Sequence, residues 1–64
     1  MEYSNHKVEA AIDEWIHNAL HRDMLKSRLL DGLTYERLAE EYDMSVSQVR
    51  RILKRDIDQI IKHL

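Results

Sequence analysis

The sequence predicts an all-α fold: a small domain of four helices, the last two joined by a tight turn and the fourth extended. Three observations predict it. The 64 residues include no Pro and one Gly, so almost nothing interrupts helix interiors. Apolar residues recur at three- and four-residue spacings along most of the chain. Residues suited to helix N-caps stand just before the periodic runs.

Met1–Tyr3 is expected to fray. Ser4 or Asn5 can cap a first helix over about residues 5–20, where Val8, Ala11, Ile12, Trp15, Ile16 and Ala19 share one face. Trp15 is the largest apolar group and the expected anchor of that face in the core. A short second helix is expected over 23–31, capped by Asp23. Met24, Leu25 and Leu29 would point inward, and Arg22, Lys26 and Arg28 would face solvent or a DNA backbone, with solvent the favoured reading for each. Gly32 then supplies a left-handed break.

The third helix, 34–42, begins at the N-cap Thr34, with Leu33 and Leu38 spaced for a hydrophobic staple. Leu38, Ala39 and Tyr42 form its inner face, and the small Ala39 suits a close approach of two helix axes. Tyr42, Asp43 and Met44 leave room only for a tight turn. Asp43 is the residue best able to take a left-handed backbone there. Ser45 and Gln48 make an S-x-x-Q capping box for the fourth helix, 46–62, and Met44 can staple onto Val49. Val46, Val49, Ile52 and Leu53 face inward.

The third and fourth helices thus read as a helix-turn-helix. Between Met44 and Arg55 there is no acidic residue and there are four cations: Arg50, Arg51, Lys54 and Arg55. A helix with small polar residues at its start and Arg/Lys beyond suits the major groove of DNA. The candidate base-reading residues are Ser45, Ser47, Gln48, Arg50, Arg51 and Lys54. Gln pairs bidentately with adenine, and Arg with guanine. Thr34, Arg37 and Arg55 are candidate backbone contacts, with Lys54 also placed for a phosphate. The bland reading of such a charge cluster is a solvated helix face. A capped turn beside an acid-free basic helix favours DNA. The net charge of −2 opposes nucleic-acid binding for the chain as a whole. The cations concentrate in the fourth helix, so the expected pattern is weak non-specific affinity and reliance on the right site or a second subunit.

The stretch HRDMLKSRLLDGLTYERLAEEYDMSVSQVRRILKR resembles the DNA-binding end of bacterial sigma factors, region 4, and the small regulators built on it. The likeness rests on RLLDGLTYERLAEEY, the turn ending DMSVSQV and the basic RRILKR, and spans Arg22 to Arg55. It implies a helix-turn-helix that reads promoter-like duplex DNA in transcription, with RNA polymerase as a second partner. Two departures stand out. Asp43 occupies a turn position that often holds Gly, and nothing resembles the core-polymerase-binding regions, so a complete sigma factor is not expected.

Other classes have little support. There is no Cys, no Gly-rich phosphate loop and no nucleophile elbow, so no enzyme is expected. His17 and His21, four apart with Asp13 and Glu14 a turn before, have a spacing that could hold a metal. A solvated mixed-charge face explains them better, and no metal or cofactor is expected. No apolar run reaches membrane-spanning length and no signal-peptide pattern appears, so the expected location is the cytoplasm. The competing functional reading is a non-catalytic interaction module that binds RNA polymerase or another regulator, favoured by Glu36, Glu40 and Glu41 on the third helix. Beyond Arg55 no stop signal appears. Ile57, Ile60, Ile61 and Leu64 continue the apolar spacing on more than one flank. Either the first helix covers them, or a second copy does, in a homodimer.

Overall fold

A computed structural model describes residues 4–64; the expectation for Met1–Tyr3 lies outside the described residues. Among the described residues the chain forms four helices and no strand: α1 (Asn5–Trp15), α2 (Ala19–Leu29), α3 (Tyr35–Tyr42) and α4 (Val46–Ile61). α4 packs on each of the other three, so the longest element is the one around which the core assembles.

Local chemistry sets each start. The side-chain oxygens of Ser4, Asn18, Thr34 and Ser45 accept from the backbone N–H groups of Lys7, His21, Arg37 and Gln48 at 3.1–3.2 Å. Each removes one of the orphan donors of a helix N-terminus. Ser45 and Gln48 complete the capping box, since Gln48 Oε1 accepts from the Ser45 N–H at 3.0 Å.

The first two helices depart from the sequence reading. α1 stops at Trp15 rather than near residue 20, because Ile16 is extended and Asn18 opens a new helix. The expected cap Asp23 is instead an exposed residue inside α2. The apolar spacing continues smoothly through Ile16 and Ala19, but the chain reverses there. Ile16 is buried by folding back, while Ala19 is exposed. Arg22 secures the bend, its guanidinium donating to the Ile16 carbonyl at 2.9 Å.

The core comprises Ala11, Ile12 and Ile16 from the first segment, Met24 and Leu25 from α2, Leu38 and Ala39 from α3, and Val49, Leu53 and Ile60 from α4. Leu33 and Met44 pack against it beside Leu38 and Val49, as the staples require. Besides Ala19, two expected core residues are exposed, and Ile52, expected to face inward on α4, is half-buried outside the core cluster. Leu29 is 39% exposed. Trp15 is 36% exposed and stacks on His63, with ring centroids 3.5 Å apart and an interplanar angle of 6°. It straps the C-terminal turn to α1 instead of anchoring the core.

Candidate nucleic-acid interface

Two left-handed residues set the geometry of the site. Gly32 (φ 75°) turns the chain between α2 and α3, and the Leu33 N–H returns to the Ser27 carbonyl at 3.1 Å. Asp43 (φ 53°, ψ 50°) ends α3. The Ala39 carbonyl accepts from the Asp43 N–H and from the Met44 N–H, the latter at 3.0 Å, so the turn is closed by its own backbone. The turn is short enough that the capped N-terminus of α4 emerges beside α3.

On α4, Val49, Leu53, Asp56 and Ile60 are buried, which turns the opposite face outward. The helical repeat puts Ser47, Arg51 and Lys54 at the centre of that outer face, with Arg50 on one flank and Gln48 on the other. All five are exposed, and so is Arg55. Asp58 follows on the same face and ends the acid-free surface. Ser45 is exposed, but its hydroxyl is held by the cap. The carbonyl oxygen of Gln48 is held likewise, so the capping box leaves the Gln48 amide NH2 as its free donor. The Thr34 hydroxyl oxygen accepts in the α3 cap, which leaves its O–H to donate outward. Arg37 is exposed, with Nε 3.8 Å from Glu41 one turn on. Arg55 Nε lies 3.9 Å from Asp56.

The basic residues of α2 are not the free solvent-facing cations expected. Arg22 binds the Ile16 carbonyl. Lys26 Nζ is 2.8 Å from Asp13 Oδ1 on α1, and this hydrogen bond holds the Lys26 ammonium above its ordinary pKa of 10.5. Arg28 donates to the Leu33 carbonyl at 2.8 Å and lies over the Tyr35 ring, 4.6 Å from its centroid. Arg50 approaches the same ring at 5.8 Å.

Sequence reasoning missed one buried charge. Asp56 is 7% exposed on the inner face of α4, with His21 Nδ1 3.1 Å from Oδ2. That is close enough for an ion pair, yet Oδ2 has no aligned hydrogen-bond donor. An Asp at a core position of the apolar repeat is the only signal the sequence offered. The break at Asn18 also removes the premise of a His17/His21 metal pair, because the two residues lie in different elements. Among the described residues no cluster could hold a metal ion. Ile60, expected in a dimer contact, is 2% exposed and part of the core. Ile57 is half-buried, whereas Ile61 and Leu64 are exposed.

A family model described as Sigma-70, region 4 matches residues 18–60. The chain belongs to that family. Region 4 is a non-catalytic helix-turn-helix DNA-binding region, and the match begins at Asn18, the cap of α2, so α1 lies outside the shared region 4 core. No curated protein and no solved structure matches the chain significantly. Among the described residues, no helix of this region 4 chain is long and apolar enough to cross a membrane.

Proposed function

We propose that the protein binds double-stranded DNA sequence-specifically through α4 and acts in transcription regulation. The observation that carries this reading is the outer face of α4: Ser47, Arg50, Arg51 and Lys54 are exposed, and among the described residues none of the three cations has a carboxylate within ion-pair distance, on a capped helix that follows a closed turn. Ser47, Gln48 and Arg51 supply base-edge contacts, with Ser45 at the groove entrance. Lys54, Arg55, Arg37 and Thr34 line the flanking phosphates. The reading carries with it a cytoplasmic site of action.

One short helix gives little affinity, so we also infer self-association through the exposed Ile61 and Leu64 with Ile57, which would place two reading helices on one duplex. RNA polymerase or another regulator is the competing partner, and the exposed Glu36, Glu40 and Glu41 favour it.

Selection from a random duplex library, followed by binding at low and moderate salt, tests the function. Salt-sensitive binding to the selected site is expected, and Arg50→Glu with Arg51→Glu should abolish it. If selection yields no duplex, or the charge-reversed protein binds equally well, the DNA reading fails and a protein partner through α3 replaces it.

A further inference from the structure

The turn that follows α4 is tied down by a contact outside the core. His63 lies face to face on Trp15 of α1, with ring centroids 3.5 Å apart and planes 6° from parallel. Neither ring belongs to the core cluster. Two backbone bonds also hold the turn: the His63 N–H donates to the Ile60 carbonyl at 2.9 Å, and the Leu64 N–H to the Ile61 carbonyl at 3.2 Å. Exposed backbone bonds with few buried contacts around them open readily, so the stacked rings are the stronger tie. Trp15 and His63 both fall outside residues 18–60. The strap therefore joins the two segments that flank the region 4 core.

The strap fixes Leu64, the residue next to the stacked ring. Leu64 lines a small cavity with Lys7, Glu14 and Trp15, and it also lines an apolar groove with Val8, Leu29, Ile57 and Ile61. It is the wall the two share. No charged side chain lines the groove, and Ile61 stands exposed beside it. A groove and an exposed apolar side chain on one face are self-complementary. About a twofold axis, the Ile61 of each copy can enter the groove of the other. We propose that the Trp15–His63 stack shapes this groove for a second copy of the chain, with both rings acting as positioning residues through Leu64. Opening the strap removes the wall and merges the groove with the cavity, where Lys7 and Glu14 bring charge onto the face. A partner would then have to desolvate those charges, which disfavours docking. The inference rests on the self-association proposed above and names what controls it.

Sedimentation equilibrium of the full chain tests it, comparing wild type, His63→Phe and His63→Ala, with circular dichroism confirming equal helical content. Trp15 is the sole tryptophan, so its fluorescence reports the stack directly. His63→Phe keeps a flat ring on Trp15 and should self-associate within about twofold of wild type. His63→Ala should shift the Trp15 emission to longer wavelength. It should also raise the dimer dissociation constant about tenfold, since each copy loses its strap. Three results overturn the strap and leave self-association intact: His63→Ala associating as tightly as wild type, His63→Phe losing as much as His63→Ala, or Trp15 emission unchanged between wild type and His63→Ala. A wild type that stays monomeric removes strap and self-association together.

Discussion

At the residue scale two positions carry cost. Asp43 sits in the left-handed region with a Cβ, a conformation that costs an L-residue about 1–2 kcal/mol, less for Asp than for most. Asp43→Gly should therefore stabilise the chain by up to about 1 kcal/mol, read as a rise of roughly 4–8 °C in melting temperature. A fall would mean that the carboxylate contributes something at the turn that its backbone does not reveal. Asp56 is the second position. With His21 removed, its buried carboxylate would keep one cation within ion-pair distance among the described residues, Arg55, 3.9 Å from the other oxygen. His21→Ala should destabilise by roughly 1–3 kcal/mol in denaturant unfolding, the cost of a buried polar group that loses its polar neighbour, and His21→Ala with Asp56→Leu should recover most of the loss, because the buried carboxyl leaves with its partner. Equal losses in single and double variants would show that His21 contributes through packing. Asp43 was legible in the sequence because turn length and chemistry left one candidate. Asp56 was not, because periodicity records where apolar residues fall and is silent about a polar one paired across the core.

At the element scale the caps were the most informative signals. Ser4, Thr34 and the Ser45–Gln48 box were legible because a cap is a local bond between residues three apart. The α1–α2 boundary was misread because a helical repeat that happens to continue through a bend looks like one helix. Asn18, a residue type suited to N-caps, stands at the break, inside the apolar repeat that runs through it. The same bend explains why the α2 cations are not free: turning the chain at Ile16 lays α2 along α1 and brings Lys26 onto Asp13. That pair has a definite pH signature. The folded-state pKa of Lys26 is raised above 10.5, chiefly by its hydrogen bond to Asp13, so the folded state holds its proton more tightly than the unfolded chain. The contribution is fully present below 10.5 and is lost as pH rises through the elevated value. Wild type should be slightly more stable than Asp13→Asn at neutral pH, and the gap should close in the alkaline range above 10.5. A gap that persists unchanged there would assign the effect of Asp13 to something other than this proton. The exposed pair is expected to be worth little in absolute terms.

At the scale of the whole molecule the end of α4 is covered on one side and bare on the other. Ile57, Ile60, Ile61 and Leu64 looked equivalent in the sequence. The fold separates them, because α1 covers only one flank of the helix. Ile60 is consumed by the core, Ile57 is half-covered, and Ile61 (55% exposed) and Leu64 (39%) stay on the surface. With Leu29 of α2 they border one apolar groove at the end of the molecule. The basic face lies nearer the start of the same helix, so a second copy docked on this groove would leave both reading surfaces free. Ile61→Glu with Leu64→Glu should therefore abolish self-association in sedimentation equilibrium while leaving the helical content and the core intact, since neither side chain is buried. The same variant should bind a selected two-half-site duplex at least tenfold more weakly, because the second reading helix is then no longer tethered, and a single half-site almost as well as wild type. A wild type that sediments as a monomer at concentrations well above its DNA affinity would remove the dimer and leave α4 reading its site alone.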